Sequence, residues 1–180
     1  MEHRGAQLKI RLPENLPLSH GDFKKIKKGE ILHLTLSFIK NLRDRDNLDL
    51  YIKRSLAFFG EKLDKWDREK DFKAPLEKLF SLPQITEIFP EDAKKVLIEK
   101  NILIPTKNNS VKTLRPDRVV VFENEVRVID FKSEEPVFKD VLKVYKKQVR
   151  EYCGIIKRIF KVKVTGYLVF VLTPKIEILG

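Results

Sequence analysis

The sequence predicts an α/β fold in which an additional N-terminal helical region accompanies a core of helix, three strands, helix and strand. Helix-period apolar patterns fill the first half of the chain, and short runs rich in β-branched residues begin near residue 96. A long amphipathic segment lies between the last two of these runs. With 180 residues, 42% of them hydrophobic, the chain is expected to form a single domain over 1–180.

The helical region covers about 26–95. Segments 26–42 and 48–63 repeat apolar residues at helical spacing and predict a helical hairpin. A third segment, 74–81, begins with Ala-Pro-Leu-Glu, and proline suits the first turn of a helix. These helices are expected to cap or support the sheet that follows.

The sheet core covers about 96–180. Four runs predict its strands, namely VLIEKNILIP, DRVVVF, VRVIDFK and YLVFVL. Neither central run alternates cleanly between apolar and polar positions, so the sheet is expected to carry helices on both faces. Residues 138–160 predict the long helix between the last two runs, with a stripe formed by Val141, Tyr145, Gln148, Tyr152 and Ile155 or Ile159.

The charge of the chain favours a polyanionic partner. Its 37 Lys and Arg residues outnumber 26 Asp and Glu residues, which gives a formal net charge of +11. The single cysteine, Cys153, excludes an intramolecular disulfide and a four-thiolate cluster, and no glycine is followed by Lys-Ser/Thr, which excludes a phosphate-binding P-loop. The N-terminus has no apolar signal core and no run is long enough to span a bilayer, so a cytoplasmic protein without a membrane partner is expected.

The tripeptide Asp-Phe-Lys occurs three times, at 22–24, 71–73 and 130–132. The first copy lies in a polar stretch before a helix, where Asp suits the helix N-terminus, and the second lies in a charge run expected on the solvated surface. Asp130 instead ends an apolar strand, where burial of an unpaired carboxylate is costly. Lys132 projects from the same face of that strand and can pair with it.

Asp117 starts the preceding strand, thirteen positions before Asp130. If the two strands pair as a hairpin, both carboxylates share a face when the loop contains an even number of residues. A two-residue loop at Asn124–Glu125 places Asp117 opposite Lys132 and diagonal to Asp130, whereas a three-residue loop would turn the carboxylates to opposite faces. The hairpin register therefore decides whether these three polar groups converge.

Two carboxylates and a lysine on one face fit metal-assisted phosphodiester hydrolysis. The carboxylates can hold Mg²⁺, which lowers the pKa of a bound water and neutralises phosphoryl oxygens, and the lysine can steady the attacking water or the developing charge. The structural alternative is a salt-bridged hairpin end without catalytic function.

A series of short motifs runs through the chain in a defined order. Pro116-Asp117 is followed by Asp130-x-Lys132, the next helix carries Gln148-x-x-x-Tyr152, and Gly29-x-x-x-His33 lies upstream in a predicted helix. This series resembles the PD-(D/E)xK nuclease superfamily in its RecB-like branch, and is most similar to the C-terminal nuclease domain of AddA-like helicase-nucleases. The resemblance covers about 26–172 and implies a restriction-endonuclease-like core.

The resemblance implies a role for each matching residue. The metal ligands would be His33, Asp117, Asp130 and the main-chain carbonyl of Phe131. Lys132 would be the catalytic base or charge stabiliser, and Gln148 and Tyr152 would orient the site or contact the DNA backbone. Glu99 is a further acidic candidate, with an exposed strand glutamate as the alternative. Neither an iron–sulfur cluster nor a nucleotide cofactor is expected.

The expected activity is that of a Mg²⁺-dependent deoxyribonuclease. It would be an exonuclease on single-stranded or unwound DNA, working as a module or partner of a helicase in DNA repair or recombination. Lys and Arg contacts to phosphate would supply most of the affinity. Imidazole is a softer ligand than carboxylate, so Mn²⁺ is expected to substitute for Mg²⁺. Two alternatives stay open, a non-catalytic nucleic-acid-binding protein on the same fold and a structure-selective endonuclease.

Overall fold

A computed structural model describes residues 20–62, 65–105 and 110–180, and helices predominate in its first part, over 20–88. The α-helices are α1 (His20–Phe38), α2 (Leu48–Phe58), α3 (Ala74–Phe80) and α4 (Ile85–Ile88). A 3₁₀-helix over Leu42–Asn47 joins α1 to α2, and a π-helical turn over Glu69–Lys73 runs directly into α3. No helix in these described ranges is long and apolar enough to cross a membrane.

A five-stranded sheet follows the helices, together with a two-stranded sheet. The main sheet has the order β1-β4-β5-β6-β7, with β1 (Lys95–Ile98), β4 (Arg118–Val121), β5 (Glu125–Lys132), β6 (Lys163–Phe170) and β7 (Lys175–Leu179). The small sheet pairs β2 (Ile102–Pro105) with β3 (Val111–Leu114). Helix α5 (Lys139–Phe160) connects β5 to β6, which pair in parallel, while the other neighbours are antiparallel. The mixed α/β class is therefore confirmed.

The predicted run VLIEKNILIP contains two strands rather than one. β1 pairs with β4 in the main sheet, whereas β2 pairs with β3. Glu99 interrupts the extended chain between them with a left-handed conformation (φ 48°). Strands β3 (VKTL) and β7 (KIEIL) are absent from the prediction, because both are short and carry charged residues.

Helix α1 spans 20–38 rather than the predicted 26–42. Its end is set by Asn41, which caps the following 3₁₀-helix and accepts a hydrogen bond from the main-chain N–H of Arg43 (3.0 Å). Asp44 completes this cap by accepting from the main-chain N–H of Asn41 (3.3 Å). This capping box starts the 3₁₀-helix, and α1 therefore ends before residue 42, although the apolar spacing predicts that α1 continues to that residue.

The other helix boundaries depend on glycine and proline. α2 stops at Phe58 rather than at 63, because Gly60 adopts a left-handed conformation (φ 66°) that ends helices. Residue 63 itself lies outside the described ranges. The predictions at 74–81 and 138–160 are confirmed to within a residue by α3 and α5, and α3 has Pro in its first turn.

The sheet is buried on both faces, as its mixed pattern predicts. On one face, Ile129 and Phe131 of β5 pack into the core formed with α1 to α4. On the other face, Val128 packs against Tyr152 of α5. Because successive strand residues point to opposite faces, Asp130 shares the face of Val128 and lies under α5.

Candidate active site

The turn between β4 and β5 sets the position of the two carboxylates. The main-chain N–H of Phe122 donates a hydrogen bond to the carbonyl of Glu125 (2.8 Å), so the two-residue turn is Glu123–Asn124. The predicted turn at Asn124–Glu125 is therefore wrong by one residue, because Phe122 joins the ladder. The loop is nevertheless even in number, which keeps the carboxylates on one face.

Asp117 and Asp130 lie across from each other at the end of this hairpin. Arg118 pairs with Ile129 at the end of the β4–β5 ladder. Continuing this register by one residue sets Asp117 opposite Asp130, whereas the predicted register sets it opposite Lys132. Lys132 becomes the diagonal neighbour of Asp117. The three polar side chains therefore converge on the face covered by α5, through a register that differs from the predicted one by two residues.

The two carboxylates are enclosed beside the Lys132 ammonium. Asp130 is 2% exposed, and its Oδ2 lies 2.6 Å from Lys132 Nζ. Asp117 Oδ2 accepts a hydrogen bond from the main-chain N–H of Phe131 at 2.6 Å. Burial, and then the neighbouring Asp117, raise the pKa of Asp130 to about 6, and burial raises the pKa of Asp117 to about 6. Both carboxyls are thus ionised near pH 7 and take up protons in weak acid.

Helix α5 supplies polar side chains that contact Lys132. Gln148 Oε1 accepts a hydrogen bond from Lys132 Nζ (3.3 Å), and Gln148 Nε2 donates one to Tyr152 Oη (2.7 Å). The ammonium also lies 4.8 Å from the Tyr145 ring centroid. Burial lowers the pKa of Lys132, but Asp130 and the second carboxylate outweigh it and raise this pKa above its usual value. Lys132 is therefore a fixed positive charge held from two sides.

Helix α1 brings His33 to the same end of the sheet. His33 Nδ1 lies 3.8 Å from Asp117 Oδ2, and the ring meets Phe131 edge-on with centroids 6.2 Å apart. Gly29, one turn earlier, lies so close to Ser133 that a Cβ atom there would overlap Ser133 Oγ. Burial lowers the pKa of His33, which favours the neutral imidazole that binds metals.

Arg118 is a positioning residue that the sequence reasoning missed. It is 1% exposed, and its guanidinium donates hydrogen bonds to the carbonyls of Ile39 (2.8 Å) and Lys40 while lying 4.4 Å from the Phe89 ring centroid. These contacts hold the segment that follows α1 against β4, next to Asp117. The sequence feature that could have predicted this role is an arginine on the apolar face of a strand, because a buried guanidinium requires hydrogen-bond acceptors around it.

Glu99 lies at the edge of the cluster without joining its direct contacts. Its main-chain N–H donates to the Asp117 carbonyl (2.9 Å), and its carboxylate lies 3.9 Å from Arg115 Nη1. The Glu99 charge adds to the rise in the pKa of Asp117 that burial causes. The structure therefore places this acidic candidate near the site, paired with an arginine.

The donor atoms of the cluster suit a hard divalent cation. Asp130 Oδ2 is buried, and no described residue gives it a hydrogen bond of good angular geometry beyond its ion pair with Lys132. Carboxylate, carbonyl and imidazole groups are ligands for Mg²⁺ or Mn²⁺. Within the described ranges, no three His, Cys, Asp or Glu side chains are already grouped to hold a metal ion.

Comparisons with known proteins give little further information about this site. No protein-family model matches the sequence, and no curated protein is similar to it. Among solved structures, the small subunit of the heterodimeric restriction endonuclease R.BspD6I matches with 11% identity and a TM-score of 0.31, over 55% of this chain and 58% of that one. Similarity at this TM-score does not establish a shared function, so a functional assignment rests on the geometry of the site.

Proposed function

We propose that the protein is a metal-dependent DNA nuclease that hydrolyses phosphodiester bonds, with a RecB-like, restriction-endonuclease-like core. The observation that carries the proposal is the enclosure of Asp130 with Asp117 and Lys132 at one end of β5. His33 arrives there from α1 and the Gln148 amide from α5. Enclosing two carboxylates and an ammonium group costs folding free energy, and such arrangements are concentrated at functional sites.

Each residue has a role in the proposed chemistry. The ligands of Mg²⁺ or Mn²⁺ would be His33, Asp117, Asp130 and the main-chain carbonyl of Phe131. The metal, when bound, supplies a water of lowered pKa and offsets phosphate charge. Lys132 holds the attacking water or the developing negative charge. Gln148 fixes the Lys132 ammonium, and Tyr152 in turn fixes the Gln148 amide.

The substrate we propose is single-stranded or unwound DNA in the cytoplasm, degraded from an end. The formal net charge of +11 supports a polyanionic substrate bound through its phosphates. Exonuclease action, and work as a module or partner of a helicase in repair or recombination, rest on the resemblance of the motifs. The chain's single cysteine supports a mechanism without an iron–sulfur cluster.

The test is a nuclease assay on end-labelled linear single-stranded DNA, linear duplex and closed circular DNA, in Mg²⁺, Mn²⁺ or EDTA. We expect metal-dependent degradation of linear DNA, with Mn²⁺ replacing Mg²⁺, while circular DNA stays intact. Cutting of the circle would identify an endonuclease instead. Binding without cleavage in either metal, by folded protein, would contradict the nuclease and favour a nucleic-acid-binding role.

A further inference from the structure

A pocket lies on the N-terminal half of α1, at a distance from the candidate active site. Its volume of about 370 Å³ falls within the range of roughly 300–1,000 Å³ that is common for ligand pockets. The described residues that line it are Phe23, Lys24, Lys27, Glu61, Lys65 and Trp66. Phe23 and Lys24 belong to the first Asp-Phe-Lys copy, and none of the lining residues has a role in the proposed catalytic chemistry.

Lysine side chains dominate the charge of this pocket. Glu61 is already engaged, because it accepts a hydrogen bond from Trp66 Nε1 (3.2 Å) and lies 4.0 Å from Lys65 Nζ. Lys24 Nζ lies 5.1 Å from the Trp66 ring centroid, and it makes no ion pair with any residue in the described ranges. Lys27 is paired with Glu30 (2.6 Å), so within the described ranges Lys24 is the lining lysine whose charge is left for an anionic ligand.

Aromatic rings lie beside these lysines. Phe23 is 58% exposed, whereas Trp66 forms a buried wall at 7% exposure. Lys27 Nζ lies 4.5 Å from the ring centroid of Phe59. Exposed rings next to ammonium groups are the arrangement that binds single-stranded nucleic acid, because bases stack on the rings while the cations contact phosphates.

We infer that this pocket is a subsite for single-stranded DNA, in which Phe23 stacks on a base and Lys24 contacts the backbone phosphate. The inference deepens the proposed nuclease function and takes the identity of its ligand from it. Phe23 precedes His33 on α1, which sets the pocket about 15 Å along the helix axis from the candidate active site. One strand of B-DNA advances about 3.4 Å per nucleotide and an extended single strand advances further, so a single strand of at most about five nucleotides reaches both.

Binding measured in EDTA tests the subsite without requiring cleavage. The probe is a labelled oligothymidylate of fifteen nucleotides, followed by anisotropy and by the emission of Trp66, the chain's single tryptophan. We expect a change in Trp66 emission, at least about fivefold weaker binding by Phe23→Ala, and a log–log salt slope smaller by about 0.7 for Lys24→Ala. Ile159→Ala and Lys157→Ala are matched controls, exposed on α5 across the sheet, and should bind like the wild type.

The outcomes separate this inference from the proposed activity. Wild-type affinity in both Phe23→Ala and Lys24→Ala would overturn the subsite, even if the protein degrades DNA, and so would an absence of binding by the wild-type protein. Weaker binding by both variants, together with no cleavage in metal, would support the subsite and contradict the nuclease. If both proposals hold, the two variants also raise KM for the fifteen-nucleotide substrate.

Discussion

Two copies of Asp-Phe-Lys lie in opposite halves of the molecule and have different surroundings. The copy at 71–73 lies in a π-helical turn, where residues two positions apart point to different sides. The copy at 130–132 ends a strand, where such residues share one face. The Asp and Lys side chains therefore point apart in the copy at 71–73 and point to the same side in the copy at 130–132.

The helical copy has a structural role. Asp71 accepts a hydrogen bond from Lys28 Nζ at 2.9 Å, while Lys73 points elsewhere and pairs with Asp49 at 3.4 Å. Phe72, between them, is fully buried. The charge run before it is exposed over 67–70, as predicted, but Phe72 is buried and anchors this turn to the core.

The strand copy differs because its charges are enclosed together. Asp130 and Lys132 pair with each other at 2.6 Å, and the hairpin adds Asp117 as a second carboxylate. Backbone conformation, rather than the tripeptide, thus determines whether these side chains can act on one ligand. The 71–73 copy provides matched controls for every substitution in the 130–132 copy.

Asp130→Asn is expected to give the largest effect, a loss of nuclease activity of about 1,000-fold. The substitution keeps the size of the side chain and removes the negative charge that would hold the cation. Asp71→Asn makes the same change in the helical copy, where a partly exposed ion pair contributes little, and should alter the rate less than about twofold. Initial rates on linear single-stranded DNA check both, and equal losses would contradict the comparison.

Lys132→Met should lower kcat by about 100-fold, because it removes the charge beside the reacting phosphate while keeping an apolar side chain of similar length. Lys132 also lowers the pKa of both aspartates, so the acid limb of the pH–rate profile should move to higher pH. Lys73→Met is the control and should leave the profile in place. An unshifted profile in Lys132→Met would argue against this coupling.

Metal binding should depend on pH through the enclosed aspartates. Burial raises the pKa of Asp117 and Asp130 to about 6 in the metal-free fold, above the value of about 4 for an exposed aspartate. Their protonation stabilises that fold most below pH about 4, and this contribution is lost as pH rises through about 6.

A divalent cation binds the deprotonated carboxylates, so the stabilisation that it gives to the fold increases with pH. Added Mg²⁺ should therefore raise Tm by several degrees at pH 7.5 and far less at pH 5. Asp71→Asn should behave like the wild type, and Asp130→Asn should lose the shift. A shift of equal size at both pH values would place the cation elsewhere.

Gly29→Ala should give the smallest effect, a loss of activity of no more than about tenfold, because the Ser133 hydroxyl can rotate away from most of the overlap with the added Cβ. Combining it with Ser133→Gly should restore activity by removing that overlap. Gly154→Ala is the control, since a Cβ there meets nothing within 4 Å. It should leave the rate unchanged and stabilise α5 by about 0.5–1 kcal/mol, as thermal unfolding would report.

The parts of the site that could be predicted depend on local patterns. Asp130 and Lys132 lie two positions apart at the end of an apolar strand, and strand periodicity alone predicts that their side chains share one face. The four-residue spacing of Gln148 and Tyr152 sets them on one face of α5 in the same way. Local periodicity also identifies the sheet as buried on both faces.

The parts that could not be predicted depend on tertiary contacts. The hairpin register differs from the predicted one because Phe122 pairs with Glu125 and extends the ladder. The separation of β1 from β2 depends on the left-handed conformation of Glu99, which the composition of that run does not indicate. The role of Arg118 requires knowledge of which carbonyls end α1, and these lie far away in sequence.

Mn²⁺ binding measured by electron paramagnetic resonance tests whether Asp130 holds a divalent cation. Wild-type protein, Asp130→Asn and Asp71→Asn would be titrated at pH 7.5 under the same conditions. We expect saturable binding by the wild type and by Asp71→Asn, and its loss in Asp130→Asn. Equal binding by all three, or no binding by folded wild-type protein, would rule out the proposed metal site.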